Sequence, residues 1–344
     1  MDLYEAMRCA PTTRNFTQDP VLADPDSFDA KTLRRPAVLA MGAGIGTGVR
    51  RGTYSIVARD PTTGELGVAV QSHWFGVGAV VAWARPGVGA VATQSVAEVA
   101  HGPNTLERLH DGQSAREALA SVLHEDALAH FRQLGVIDAH GGVAVHTGSG
   151  CIPCAGEAAG AGFTCQANMM TNDTVPTAMA DAYTAHDGDL AERLLAALDA
   201  AQDAGGDVRG QQSAALLVVP AKGEPWRVRF DVRVEDHADP LGELRRLVRL
   251  ARAYEMAGQA DELAAQGAHT QATQLYLDAA ELAPECDELT FWAGLGAAAE
   301  DLDAGLELVR GAAAQKPAWL TLLDRLSHEL APTAAAVREA LRVS

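Results

Sequence analysis

The chain has 344 residues, 48% of them hydrophobic, and a formal net charge of −18. That length allows two or three domains with a sizeable core, and that apolar share belongs to a globular chain. The acid excess argues against a nucleic-acid or anionic-membrane partner, either of which requires a basic face. No run of about eighteen apolar residues marks a transmembrane helix. Met1-Asp2-Leu3-Tyr4-Glu5 lacks the basic and apolar regions of a signal peptide, so the expected compartment is the cytosol.

Residues 1–50 carry Pro11, Pro20, Pro25, Pro36 and several glycines with no sustained period, which predicts a poorly ordered extension. Leu3-Tyr4-Glu5-Ala6-Met7-Arg8, with Arg14, Phe16 and Pro20, resembles the opening of flavin nitroreductases over about twenty residues. The rest of that fold is absent, and no flavin function is carried over. A fusion remnant and an over-extended gene start both account for this stretch. Gly42-Ala43-Gly44-Ile45-Gly46-Thr47-Gly48 imitates a phosphate loop, but no strand precedes it and no P-loop lysine follows.

The first clear strand, 53–60, opens on Thr53 after Gly52 and ends at the turn Pro61-Thr62-Thr63-Gly64. A threonine at the start of a core strand is where an N-terminal nucleophile stands. That chemistry needs a free α-amine beside the hydroxyl as its general base, and an α-amine titrates near ~7.7–8.0. An ordinary strand threonine fits the same position. Further strands are expected at 66–72, 77–84, 88–95, 131–138, 142–147, 162–168, 213–220 and 226–234, with Gly148 to Gly162 as loop. Helices are expected at 105–123, 175–186 and 190–204, the last with an apolar face at Leu194, Leu195, Leu198 and Ala201. Strands at both ends of the domain and helices in its middle suit stacked antiparallel sheets covered by helices.

Polar residues at strand ends are the candidate site. Ser72-His73 closes the second strand; His73 either relays a proton or binds substrate, or is a plain loop histidine. Thr93-Gln94-Ser95 either caps the following helix or lines a pocket. Asn168 offers an amide donor for a developing oxyanion; alternatively Gln166 and Asn168 satisfy buried backbone groups. Asp207 and Arg209 form a loop clamp, or Arg209 holds a substrate carboxylate. Asp138-Ala139-His140-Gly141-Gly142 reads as a hairpin turn. The cysteines, at 9, 151, 154, 165 and 286, make an odd set with no disulfide framework, and Cys151-Ile152-Pro153-Cys154 lacks the second ligand pair of a zinc site.

Residues 237–344 are rich in Ala and Leu and read as helix throughout. Ala272, Tyr276, Ala279 and Pro284 recur as Gly305, Val309, Ala312 and Pro317, an offset of 33. The region resembles degenerate tetratricopeptide repeats, whose period is ~34 residues; a plain helical extension is the alternative. Arg245, Arg246, Arg249 and Arg252 are expected to form a solvated face with local ion pairs.

Four segments together carry a family resemblance: Thr53–Asp60, Trp83–Gln94, Gln166-Ala167-Asn168-Met169-Met170, and Gly205–Ala215. They resemble domain-of-unknown-function family 1028 over about residues 53–236. The resemblance implies an α+β fold, a four-layer αββα sandwich of the N-terminal-nucleophile hydrolase kind, followed by an all-α helical repeat domain at 237–344. In many members the counterpart of Thr53 follows the initiator Met; here fifty-two residues precede it, so exposure requires cleavage at Gly52-Thr53 or a later start. Some members carry a helical extension labelled peptidoglycan-binding, and no aromatic-rich groove motif in 237–344 supports that label.

The expected function is therefore an amidohydrolase acting on a small amide, ureido or lactam substrate. Thr53 is the nucleophile, with Asn168 and His73 as further catalytic residues and Ser72, Thr93, Gln94, Gln166, Asp207 and Arg209 binding substrate. No metal or cofactor is expected, and partners are a small molecule and a second copy or protein at the helical region. The alternative is a non-catalytic scaffold with the same core.

Overall fold

The computed structural model describes residues 52–343; the expected N-terminal extension and the Gly42–Gly48 segment lie outside them. Strands β1 (Thr53–Arg59) and β2 (Leu66–Ser72) form a hairpin in which Thr53 faces Ser72. The turn holds because Asp60 Oδ1 accepts from the N–H groups of Thr62 and Thr63, while Gly64 takes φ 75°, a conformation glycine adopts at no steric cost. Side chains then alternate across the sheet. Tyr54, Ile56 and Ala58 enter one core, and Val57 enters another.

Two antiparallel sheets follow. The six-stranded sheet has the order β10-β9-β2-β1-β8-β7, and the four-stranded sheet β3-β4-β5-β6. Their members are β3 (Ala82–Arg85), β4 (Gly89–Ser95), β5 (Arg132–Asp138), β6 (Val143–Thr147), β7 (Gly156–Gly160), β8 (Phe163–Asn168), β9 (Ser213–Val219) and β10 (Phe230–Val234). The sheets bury Val57, Val68, Val70, Ala90, Ala92 and Leu217 in one shared cluster. Helices α4 (Val175–Ala185) and α5 (Leu190–Asp203) cover the larger sheet through Met179, Leu194 and Leu198. Helices α2 (His101–His110) and α3 (Ala115–His124) cover the smaller one through Leu106, Leu109 and Leu119.

Four expectations need correction. The segment 77–84 is a helical turn, α1 (Gly78–Val81), before β3; a short continuous apolar run reads the same for a buried strand and a buried helix. The helix expected over 105–123 is two helices. Gly112, at φ 92°, ends the first, and Ser114 starts the second through a reciprocal capping box with Glu117. Within the expected loop lies β7, whose Gly-Glu-Ala-Ala-Gly sequence has weak strand propensity and gives no signal. The last strand is shorter than 226–234, starting at Phe230.

The C-terminal region is helical: α6 (Pro240–Ala265), α7 (His269–Leu282), α8 (Asp287–Ala297), α9 (Leu302–Gln315), α10 (Ala318–Leu323) and α11 (Ala334–Val343). Leu241, Leu244 and Val248 of α6 join the core beneath the larger sheet, so this first helix is anchored to it. The arginines of α6 form a largely solvated face, as expected, but most of their ion pairs are not local. Arg246 pairs locally with Glu243, but Arg245 reaches Asp199, Arg249 reaches Glu285, and Arg252 reaches Asp189. Ala272 and Ala279 of α7 and Val309 and Ala312 of α9 are all buried. No described helix is long and apolar enough to cross a membrane.

Candidate active site around Thr53

The strand ends that carry the polar residues converge by register alone. Thr53 stands opposite Ser72 on one side and Asn168 on the other, and Ser72 stands opposite Ser213. Thr53 is 1% exposed. Its Oγ1 donates to Ser72 Oγ at 3.0 Å, and Ser72 Oγ donates to the Gly52 carbonyl oxygen at 2.5 Å. Arg209 Nη2 donates to the same oxygen at 2.9 Å. The peptide carbonyl before Thr53 thus has a hydroxyl and a guanidinium on its oxygen, with the Thr53 hydroxyl one hydrogen bond away.

Asp207 fixes that guanidinium. Its Oδ1 accepts from Arg209 N (2.9 Å) and Nε (3.0 Å), and its Oδ2 from Arg209 Nη2 (2.8 Å) and His73 N (3.2 Å). A forked contact of this kind holds direction as well as charge. The same carboxylate explains Gly52. A Cβ there would stand 2.7 Å from Asp207 Oδ2, closer than van der Waals contact permits. Burial, then the nearby Asp207 and Asp203 carboxylates, push the Tyr54 hydroxyl far above its ordinary range, and it donates to Gln202 Oε1.

A buried amide network lies beneath Thr53 and joins the sheets. Asn168 Nδ2 donates to Gln133 Oε1 at 2.9 Å and reaches the Thr53 carbonyl oxygen at 3.5 Å. Gln94 Nε2 lies 2.8 Å from Gln133 Oε1 and 3.3 Å from the Thr53 carbonyl. Ser55 Oγ donates to Gln94 Oε1, and Gln166 Nε2 donates to Ser55 Oγ, each at 2.6 Å. Gln133 Nε2 donates onward to the Ala167 carbonyl at 2.9 Å. The donors nearest the Gly52 carbonyl are therefore Ser72 and Arg209, while Asn168 and Gln94 hold the Thr53 carbonyl, Gln94 also reaches the Gln166 carbonyl, and the Gln166 amide holds the Ser55 hydroxyl.

Two expected residues stand apart from this centre. Thr93 Oγ1 donates to the Glu98 carbonyl, serving the turn before α2. His73 contributes its backbone N–H to Asp207, and its buried Nδ1 has no hydrogen-bond partner among the described residues. Sequence reading missed Gln133 and Ser55. Ser55 was visible as a polar residue two positions after Thr53, on the same face of its strand; Gln133, beside Arg132 at the start of its strand, gave no such signal.

Backbone conformation marks the same place. The described non-glycine residues with left-handed φ are Ser95 (70°), Cys154 (56°) and Met169 (58°). Ser95 follows Gln94, Met169 follows Asn168, and the Cys154 carbonyl accepts from Met170 N. Such conformations cost about 1–3 kcal/mol and gather at functional sites. Among the described residues no group of three or more His, Cys, Asp or Glu side chains could hold a metal ion.

Comparison with known proteins gives three results. Residues 53–244 match the sequence model described as "Family of unknown function (DUF1028)". The crystal structure of protein SPO2555 from Silicibacter pomeroyi, also described under DUF1028, is 33% identical, covering 57% of this chain and 88% of that one with a TM-score of 0.53. A search of curated proteins found no match.

Proposed function

The chain belongs to the DUF1028 family, and from that premise we propose that it is a hydrolase of the N-terminal-nucleophile kind, cutting small amide, ureido or lactam C–N bonds with Thr53. In the same reading the two sheets with their covering helices form an αββα sandwich. The C-terminal helices form a degenerate tetratricopeptide-like array for a protein partner or a second copy, and the substrate is a small molecule met in the cytosol.

One observation carries the proposal: the Gly52 carbonyl, the Ser72 hydroxyl, the Arg209 guanidinium and the Thr53 hydroxyl form one hydrogen-bonded set. Hydrolysis of the Gly52-Thr53 bond, in which water adds to the Gly52 carbonyl carbon and supplies the proton, leaves a Gly52 carboxylate and frees the Thr53 amine. In the exposed form, Thr53 Oγ1 attacks the substrate carbonyl carbon, and its proton passes to that amine. Ser72 and Arg209 donate to the oxyanion, a service worth about 3–4 kcal/mol per donor. Collapse breaks the C–N bond, and the ammonium returns the proton to the leaving amine. Water, losing a proton to the same amine, adds to the ester, and Thr53 Oγ1 departs with that proton as the acid is released.

The near-complete burial of Thr53 favours the second reading, a non-catalytic scaffold, for any chain that keeps residues ahead of it. Intact-mass analysis separates the two. The hydrolase reading expects a species beginning at Thr53 in the wild type and only full-length chain in Thr53→Ala, with amide turnover confined to the former. A wild-type chain that stays whole and inert removes the hydrolase and leaves the scaffold.

A further inference from the structure

Gly52 is the acyl group that already occupies the candidate site, and its surroundings state what a substrate acyl group must look like. We propose that Asp207 walls the acyl subsite and restricts it to linear acyl groups, those with no branch on the atom beside the scissile carbonyl: acetyl, glycyl and carbamoyl. This inference rests on the hydrolase reading above, because it takes Gly52 as the stand-in for substrate.

The stand-in is chemically apt. In an acyl-enzyme the carbonyl carbon is bonded to Thr53 Oγ1, and in the chain described here it is bonded to Thr53 N. Both atoms belong to one residue, and attack of Oγ1 on either carbonyl passes through a tetrahedral carbon beside it. The oxygen donors, Ser72 Oγ and Arg209 Nη2, are then common to both. The group in the place of the Gly52 Cα lies against Asp207. A branch in the L-Cβ direction would stand 2.7 Å from Oδ2 and 2.8 Å from both Cγ and Oδ1.

The wall is rigid. The Asp207 side chain is 0% exposed, and its carboxylate accepts four hydrogen bonds, three from Arg209 and one from His73 N. A carboxylate has about four lone-pair positions, so the set is full and the group has no reason to rotate. None of these four bonds comes from Gly52, so the wall survives its removal. A planar ureido nitrogen or a methylene fits beneath it; an L-alanyl methyl does not.

Matched anilides with acetyl, glycyl, carbamoyl and L-alanyl groups, assayed on protein beginning at Thr53, test the selectivity. The linear groups should exceed L-alanyl at least 100-fold in kcat/KM. Asp207→Asn, which keeps the volume, should preserve that ratio, and Asp207→Ser should collapse it even if every rate falls. L-alanyl turnover equal to glycyl overturns the inference. A second measurement is independent of catalysis. In a Thr53→Ala background, which keeps the chain whole, Gly52→Ala should lower the melting temperature by about 3 °C or more, and the penalty should vanish when Asp207→Ser is added. A neutral Gly52→Ala overturns the wall whatever Thr53 does. Absence of turnover on every anilide, with that penalty intact, removes the hydrolase reading and leaves the wall standing.

Discussion

Gln133, on the four-stranded sheet, accepts a 2.9 Å hydrogen bond from Asn168 on the six-stranded sheet. It therefore clips the sheets together directly beneath Thr53. Its amide also meets Gln94 Nε2 and the Ala167 carbonyl, both buried. A buried donor or acceptor left without a partner costs about 1–3 kcal/mol, whereas a satisfied one contributes far less. Gln133→Leu keeps the volume and strands several such groups at once. Unfolding in urea should show a loss of about 3 kcal/mol. A loss below 1 kcal/mol would mean that water or a rotated amide takes over every bond.

Asp126 provides a pH-dependent test away from the nucleophile. Its carboxylate accepts from Arg132 Nε at 2.6 Å, from Leu128 N at 2.8 Å and meets His101 Nε2 at 2.8 Å. Burial acts to raise its pKa, but the hydrogen bonds from Arg132, Leu128 N and His101 outweigh it and hold the group well below the carboxylate range. A depressed folded-state pKa contributes stability that is complete above the unfolded value and is lost as pH falls toward the folded one. Asp126→Asn should therefore cost about 3 kcal/mol at pH 7, the price of breaking a buried pair. The gap from wild type should shrink by roughly 1 kcal/mol at pH 3, where the unfolded Asp126 is largely protonated. Denaturant melts at the two pH values measure it, and an unchanged gap would contradict the assignment.

Much of this was legible in the sequence because strand pairing brings distant polar residues together at strand ends. Thr53, Ser72 and Asn168 each terminate an apolar run, and antiparallel register sets them side by side. The Asp207–Arg209 clamp was visible as two complementary charges a residue apart. What the clamp grips was not, since the contact of Arg209 with the Gly52 carbonyl spans 157 positions. Gln133 was hidden for a similar reason: its partners lie on the other sheet, and sheet stacking leaves no periodic trace. The helical turn at Gly78–Val81 and strand β7 were lost to weak local signals, a uniform apolar run and a run of small residues.

Ser72 is where structure and proposed chemistry meet most sharply. Its single hydroxyl proton goes to the Gly52 carbonyl oxygen while its oxygen accepts the Thr53 proton, so it serves nucleophile and oxyanion together. A merely structural serine would lose about 1 kcal/mol on replacement by alanine and leave chemistry alone. An oxyanion donor would cost about 10²–10³-fold in rate. Ser72→Ala should therefore remain folded, with a stability loss of about 1 kcal/mol, while appearance of the Thr53-start species and amide turnover by that species both slow by that factor. Time-resolved intact mass follows the first and steady-state kinetics the second. If Ser72→Ala releases Thr53 and turns over substrate at wild-type rates, the hydroxyl is only a strand-end contact and Arg209 must stabilise the oxyanion without it.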